Sequence, residues 1–488
     1  MASTEPQSTL DAVPEPQSTT APAPTTTTST TTTSTTLPTS IVILGGNLAG
    51  LGVLHTLARH TIPALQRLPS QPQYKITLIT PNSHFFFKPA SPRALIHPDL
   101  LPGGEKHIFR DLSDAVKQYG ELVTVMKAYA TDVDTSKKEV TIKHVDTNSH
   151  SDSAEGTSAV RYDALIIATG TKARSAAWTM PGQGTEGLHA AEDATKREWQ
   201  GIRTKLKNLQ AGTHPHHSIL IAGGGPVGVE TTGEIATLLK AMGKTEGVTI
   251  TLLSGTDRLL NRNCNESLGR KAEAYLKKNF GSLVEVKHGG IKVVSVCDSV
   301  IEGGEQTETT VELSDGTSRT VGLYIDATGG SGNADGFLPT TWLDASSRVI
   351  TKDDFFRVRG SGSAEETDHQ ADGIYAVGDV VSGSDNTLIS TNFQVPVVCS
   401  SIGVDLAAKI LHPEGGEGQS SGVKLPAALK QKTFKNKMAG TLLVPIGPGG
   451  GVGQILGWGV PSLMVKAAKA KNFLVDMVEP AVTGSQWK

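Results

Sequence analysis

Cysteine is scarce in this chain: Cys264, Cys297 and Cys399 are the only three among 488 residues, with no C-x-x-C spacing. That excludes a disulfide framework and a thiolate zinc site, and it implies a reducing compartment. His214, His216 and His217 cluster, but no acid or fourth ligand stands at metal spacing. They are read as an exposed turn, and no metal is expected. Charge of one sign is also lacking. A formal net charge of -3 removes the electrostatic footprint of a nucleic-acid binder. No run approaches the ~20 apolar residues of a bilayer span. The first basic residue is Arg59, and the opening stretch carries Glu5, Asp11 and Glu15 with no apolar core, unlike a secretory or mitochondrial leader. Ala2 stands where N-myristoylation requires glycine. A cytoplasmic protein is expected.

What is present is length and glycine. A chain of 488 residues exceeds one core and implies two or three domains. Residues 1–39 are mostly Thr, Ser, Pro and Ala, too poor in bulky side chains to offset their ordering entropy, and are read as a disordered tail. From Ser40 the pattern reads strand 41–45, helix 48–60 and strand 75–79. A β-excursion follows at 123–133 and 138–145, then a polar hairpin or loop at 146–160. A buried strand then runs into Ala168-Thr169-Gly170. The pattern repeats from 218: helix 228–242, strand 248–253, helix 266–279, and a closing strand 321–327 running into Ala327-Thr328-Gly329. Strands alternating with helices predict parallel sheets. The fold class is α/β, with two Rossmann-like dinucleotide-binding domains, one inserted in the other, and a C-terminal α+β segment. Boundaries are placed at 40–178 and 331–412 for the first domain and 179–330 for the second. Residues 413–488 form a linker (413–423) and a C-terminal segment with a helix-like stretch near 460–478.

Each repeat opens on a glycine-rich turn between an apolar strand and a helix. The first is Gly45, Gly46, Asn47, Leu48, Ala49, Gly50; the second is Gly223, Gly224, Gly225, Pro226, Val227, Gly228. Such turns aim backbone N–H groups at a pyrophosphate on a helix N-terminus. One alone is as easily a turn without a ligand. Two of them, with Gly378-Asp379 after the strand 374–377, describe a protein that binds two dinucleotides, as a flavoprotein reduced by a nicotinamide does. Asn47 replaces the middle glycine of the first loop; asparagine tolerates left-handed backbone angles, and its amide can donate to a phosphate. Asp379, at a strand's carboxyl end, suits the ribityl hydroxyls of a flavin. Gln394-Val395-Pro396 precedes a helical run 397–411 whose N-terminus would face the flavin ring.

In the second loop, Gly223, Gly225 and Gly228 are followed by Glu230, positioned for the nicotinamide ribose or the flavin edge. Complementing the helix dipole in the first turn is an equal reading, compatible with the first. The second strand ends Leu253-Ser254-Gly255, with no acid before Asp257 and with Arg258 close by. A missing carboxylate removes repulsion against a 2′-phosphate. Either NADH or NADPH therefore remains open, with Arg258 a partner for the phosphate or a solvated surface residue. Cys264 lacks an identifiable base and is not read as a nucleophile. Lys466, Lys469 and Lys471 among apolar neighbours make 460–478 a basic amphipathic stretch, for a membrane surface or for capping the core.

These motifs resemble the flavin-dependent pyridine-nucleotide oxidoreductases, and most closely their apoptosis-inducing-factor-like, ferroptosis-suppressor type, over residues 40–488. The closest match lies in Gly450-Gly451-Val452-Gly453-Gln454-Ile455-x-Gly457 and Leu463-Met464-Val465-Lys466. The resemblance implies FAD pyrophosphate on Gly45 to Gly50, Arg93 on the flavin side, Ala130 at the adenine through its backbone, and Asp379 at the ribityl chain. Thr80 stands where an acid often binds the FAD ribose. The lack of paired cysteines departs from the disulfide reductases of the same fold. The expected function is hydride transfer from NADH or NADPH through FAD to a small-molecule electron acceptor, a quinone first. A tailoring flavin oxidoreductase of secondary metabolism and a nucleotide-sensing flavoprotein scaffold are the alternatives. A peripheral site on an intracellular membrane, through 460–478, is the companion expectation.

Overall fold

The computed structural model describes residues 37–69, 72–145, 156–180, 191–243, 246–301, 306–360, 371–412 and 425–487. Pro38–Lys488 forms one compact unit. The expected tail through residue 36, residues 146–155 of the polar loop, and the linker 413–423 lie outside the described residues.

The first sheet has seven strands, in the order Ile374–Ala376, Ala164–Ile167, Thr39–Leu44, Tyr74–Thr80, Val123–Asp134, Glu139–His144, Thr157–Arg161. Its first five strands are parallel; Glu139–His144 runs antiparallel to them, and Thr157–Arg161 antiparallel to Glu139–His144. Ile41, Val42 and Ile43 in the central strand are fully buried, as a strand covered on both faces requires. The second sheet has four parallel strands, in the order Val284–Lys287, Thr249–Leu253, Ser218–Ala222, Leu323–Asp326. All of the second sheet's strands fall in sequence between Ala164–Ile167 and Ile374–Ala376, so one Rossmann-like unit is inserted in the other. The outgoing and returning connections run side by side, Thr171–Ala173 antiparallel to Gly330–Gly332.

The two units repeat one packing solution. Gly45 and Gly223 have φ of +110° and +120°, and a Cβ on either would lie 2.4 or 2.2 Å from the carbonyl oxygen of Ala168 or Ala327. A Cβ on Gly50 or Gly228 would fall 1.8 or 1.9 Å from the oxygen of Gly45 or Gly223. Each glycine loop is thus pressed onto an Ala-Thr-Gly turn.

Several elements differ from the sequence reading. Residues 157–161 pair as a strand, because alternate side chains there continue the β-excursion. The helix expected at 397–411 begins at Leu388, capped by Thr387 Oγ1 accepting from Ser390 N, and carries Pro396 inside it. Its hydroxyl cap sets the helix N-terminus about two and a half turns upstream of the expected position. Among the described residues this helix is long and apolar enough to cross a membrane, yet most of it is buried in the core. The stretch 460–478 is not one helix: the helical run Ser462–Val465 continues through Lys466–Ala470, Phe473 and Leu474 interrupt it at positive φ, and a short turn of helix, Val475–Met477, follows.

The C-terminal residues are seated on the first-loop helix Leu48–Thr56 and the turn that follows it. The ring of His55 is fully buried, with Nδ1 2.6 Å from Tyr119 Oη and Nε2 3.0 Å from the Val482 oxygen. Burial, with Arg59 nearby, pushes the His55 pKa down to about 4, so the ring is neutral at pH 7. Nε2 then donates to Val482 and Nδ1 accepts from the Tyr119 hydroxyl. His60 Nε2 donates to the Trp487 oxygen at 2.7 Å.

The two kinds of loop glycine separate in a stability measurement. Gly228→Ala is expected to cost about 3 kcal/mol or more in urea unfolding, because its Cβ meets a backbone oxygen that cannot step aside. Gly225→Ala, with nothing within 4 Å of the new Cβ, should stay within about 0.5 kcal/mol of the parent. Equal losses in the two variants would contradict the packing described.

Candidate active site

The first loop is bounded by buried polar atoms that have no partner. Gly45 N donates to Ile79 O at 2.8 Å, which holds the turn at the carboxyl edge of the sheet. Asn47 then caps the helix with φ −100° and ψ −164°, an extended conformation. It does not use the left-handed angles that the sequence reading invoked. Its Nδ2 donates to Phe86 O at 3.0 Å and so is already engaged, while Oδ1 is buried without a partner. Asn82 Oδ1 and Thr169 Oγ1 are in the same condition. Buried polar atoms left unpaired are uncommon and call for a ligand. Thr80 packs 3.0 Å from where a Gly46 Cβ would stand, and its Oγ1 accepts from Asn82 N. The unpartnered amide oxygen of Asn82 is thereby tied to Thr80, the residue at which the sequence reading expected an acid. Ala130 sits at a β-bulge of Val123–Asp134, beyond the residues paired with Tyr74–Thr80 and at the same carboxyl edge.

Tertiary packing brings the third motif to the first. A Cβ on Gly378 would lie 2.8 Å from Ala49 Cβ, so Gly378-Asp379 abuts the first-loop helix. Gly378 N donates to Gln394 Oε1 at 2.6 Å, which fixes the turn. Lys88, absent from the sequence reading, faces Asp379. Burial lowers the Lys88 pKa and the Asp379 charge opposes that; burial raises the Asp379 pKa and Lys88 and Arg348 hold it down. Lys88 Nζ donates to Thr171 O at 3.3 Å, and Arg348 Nη1 donates to the Asp379 backbone oxygen at 3.1 Å. A lone lysine inside Phe85-Phe86-Phe87-Lys88-Pro89 was the available signal.

On the second-loop helix Pro226–Ala241, Glu230 is the fifth residue and lies beyond the first turn, so the helix-dipole reading of it fails. It is 3% exposed, and Lys469 Nζ donates to its Oε1 at 2.5 Å and to Leu443 O at 3.2 Å. Burial raises the Glu230 pKa and the Lys469 charge opposes it. One turn on, the fully buried Glu234 takes a two-pronged bond from Arg93, Nε at 2.6 Å and Nη2 at 2.9 Å. Nη2 also donates to Ala470 O at 3.1 Å, while Nη1 is buried without a partner. The guanidinium stacks 4.7 Å from the Phe473 ring centroid, and Lys469 Nζ lies 5.7 Å from it. Two cations from distant stretches thus share one aromatic ring, and each holds one of the two acids. Glu230 and Glu234, four apart on an apolar helix, were legible as one buried polar face; their partners were not.

Two other expectations, for His214 and Lys469, need correction. His214 is not exposed: it is 1% exposed and bridges His216 O and Thr307 O at 3.1 Å each. Lys469 belongs to this buried cluster and is not available to a membrane. Cys264 is half-buried, its thiol donates to Leu260 O and burial raises its pKa. Among the described residues no cluster of His, Cys, Asp or Glu has the makings of a metal site.

The model of the pyridine nucleotide-disulphide oxidoreductase family matches residues 39–396, which contain both loops and Gly378-Asp379. The chain belongs to that family. It is a pyridine-nucleotide-dependent flavin oxidoreductase that uses FAD and NADH or NADPH. It is similar to the oxidoreductase phnG of Penicillium herquei, 28% identical over 93% of this chain and 98% of the relative. It is also similar to an external alternative NAD(P)H-ubiquinone oxidoreductase, B4, of Arabidopsis thaliana mitochondria, 24% identical over 70% of this chain and 54% of the relative. Among solved structures, the sulfide:quinone oxidoreductase of Aquifex aeolicus shares the fold, with a TM-score of 0.51 and 18% identity over 76% of this chain and 77% of that one.

For the buried ion pair, Glu234→Gln is expected to destabilise the protein by about 3–5 kcal/mol in urea unfolding, because it strands the Arg93 charge. Combining Arg93→Met with Glu234→Leu should recover most of that loss. A double variant as unstable as the single one would mean the pair's charge is not what the fold relies on.

Proposed function

We propose that the chain passes hydride from NADH or NADPH through FAD to a diffusible small-molecule acceptor, a quinone first. The observation that carries this reading is the state of the cysteines. Cys264 is half-buried, Cys297 exposed and Cys399 buried; all are free, and no pair exists to relay electrons. The bound flavin supplies the redox chemistry, so no side chain has to act as a nucleophile. The protein's part is to hold and orient. Gly45, Gly46, Asn47, Leu48, Ala49 and Gly50 present the helix N-terminus to the FAD pyrophosphate, Asp379 accepts from the ribityl hydroxyls, and Ala130 meets the adenine. Arg93 reaches toward the flavin only through Nη1. Gly223, Gly225 and Gly228 hold the nicotinamide nucleotide, with Glu230 kept in place by Lys469. Residues 40–178 and 331–412 then form the FAD part, 179–330 the NAD(P)H part, and 413–488 a segment of the ferroptosis-suppressor type. The name of the Arabidopsis relative supports a quinone acceptor. The match to phnG along almost the whole of both chains supports the second reading, a tailoring oxidoreductase with a specialised substrate.

The C-terminal segment supports a route for an apolar acceptor. Leu456, Trp458, Leu463 and Met464 are 54%, 81%, 75% and 47% exposed, and no acid occurs between Gly450 and Val475. Exposed apolar side chains beside Lys466 and Lys471 suit peripheral contact with an anionic membrane, each lysine contributing about 1 kcal/mol.

Two experiments bear on these readings. The chain with Cys264, Cys297 and Cys399 all changed to serine should keep NAD(P)H-driven bleaching of its flavin and NAD(P)H oxidation with added quinones, whereas Asp379→Ala should lose most of its flavin. A folded, flavin-loaded triple variant that no longer bleaches would restore a thiol route. In liposome co-sedimentation at low salt, Trp458→Ser with Lys466→Glu and Lys471→Glu should abolish partitioning into anionic vesicles. Parent and variant sedimenting alike would make the segment purely structural.

A further inference from the structure

Between the strands Val284–Lys287 and Leu323–Asp326 of the inserted sheet the chain makes a small antiparallel sheet, in the order Val293–Val300, Thr307–Leu313, Ser318–Val321. Val293–Val300 is an edge: among the described residues its outer side pairs with no strand. Residues 294–300 are all exposed, with Val294, Val296 and Val300 at 67%, 44% and 68%. Natural sheets blunt such an edge with lysine, proline or a very short strand. This strand has eight residues and neither lysine nor proline. Its pairing is irregular between Val293 and Ser295, at one end, and Ser295–Val300 runs in regular register. Its one charge, Asp298, is turned back onto its own chain, accepting from Thr309 Oγ1 at 2.5 Å and pairing with Lys205 at 3.5 Å.

The strand also reads almost alike in both directions. About Cys297, Asp298 mirrors Val296, Ser299 mirrors Ser295, Val300 mirrors Val294 and Ile301 mirrors Val293. A two-fold contact demands such self-complementarity, because the same patch serves on both sides. Residues directly opposite in an antiparallel pair share a face, so a two-fold axis normal to the sheet passes through a residue position. With the axis at Cys297, serine stands against serine, valine against valine, and each Asp298 against a Val296. An axis at Asp298 would oppose two carboxylates, and one at Val296 would set Asp298 against Val294. The charges flanking the strand in the sequence are complementary too: Lys292 precedes it and Glu302 follows it, and antiparallel pairing brings opposite signs to each end. The Cys297 thiol is exposed and donates to the Asp298 oxygen of its own strand at 3.9 Å.

We propose that Val293–Val300 is a homodimer contact, pairing antiparallel with the same strand of a second copy of this chain about a two-fold axis at Cys297. The contact uses one edge on both copies, so the pair closes and does not grow into a fibre. One strand from each copy makes a smaller contact than a permanent dimer needs, so association depends on concentration.

Sedimentation velocity of the FAD-loaded full-length chain under reducing conditions, from about 1 to 100 µM, reads this contact. The parent should pass from monomer to dimer across that range. Val296→Asp should weaken the dimer at least about tenfold, because it opposes Asp298 of the other copy, twice in each pair. Val296→Lys should hold or tighten the dimer, because the same register gives the new ammonium that carboxylate. Val296 is exposed and outside both glycine loops, so NAD(P)H oxidation by either variant should match the parent's. With Cys264→Ser and Cys399→Ser, Cys297 is the sole thiol, and added diamide should join two copies through it. The two thiols form one disulfide, and diamide takes up their two electrons and two protons. Opposed residues of an antiparallel pair have Cα atoms about 4.5–5.5 Å apart, within the span of a disulfide. Val296→Asp in that background should lose most of the cross-link. A parent that stays monomeric to the top of the range and does not cross-link overturns the proposal. A dimer that both Val296 variants leave unchanged, or both weaken alike, overturns it as well, because neither result follows from this register.

Discussion

Both nucleotide cradles depend on one steric constraint: backbone against backbone at distances that no side chain survives. Each loop rests its first glycine on the carbonyl of an Ala-Thr-Gly turn, and packs its last glycine onto the oxygen of the first. That contact turns the helix N-terminus toward the carboxyl edge of its sheet, which is where N–H groups and dipole together attract a phosphate. The positive φ at Gly45 and Gly223 belongs to the same geometry, since an L side chain is strained there even before it meets a neighbour.

A second layer of organisation is electrostatic. Arg93 from the first unit, Glu230 and Glu234 from the second, and Lys469 from the C-terminal segment meet around Phe473. Burying four charges is costly, and it is tolerated because each carboxylate has its cation at hydrogen-bond distance and the backbone oxygens of Leu443 and Ala470 accept further bonds. The arrangement ties the second-loop helix to both other parts of the chain. It also explains why Lys469, which reads in sequence as part of a basic surface, is only 14% exposed and turned into the cluster.

The C-terminal segment illustrates how local pattern misleads. Its apolar and basic residues have helical spacing, yet Phe473 and Leu474 adopt positive φ and the helix breaks so that Phe473 can be buried under two cations. The helix start at Leu388 was likewise hidden, because Pro396 reads as the residue before a helix start while the Thr387 cap lies nine residues upstream of it in a polar stretch. His214 looked like a solvent-facing turn because a run of histidines says nothing about which ring the neighbouring strand will cover.

What the sequence determined by itself was periodic or steric: the alternation of apolar strands with helices, the glycine loops, the two Ala-Thr-Gly turns, and the absence of a cysteine pair. These are local, because a left-handed turn or a two-sided strand constrains the residue that occupies it wherever the chain goes next. Which distant residues meet was decided only by the tertiary structure. Lys88 facing Asp379, Arg93 gripping Glu234, Lys469 on Glu230 and Gln394 on Gly378 join residues from separate stretches. Charge and hydrogen-bonding capacity are legible in a sequence, but a partner is a distance, and only the packing of the two sheets and the C-terminal segment sets that distance.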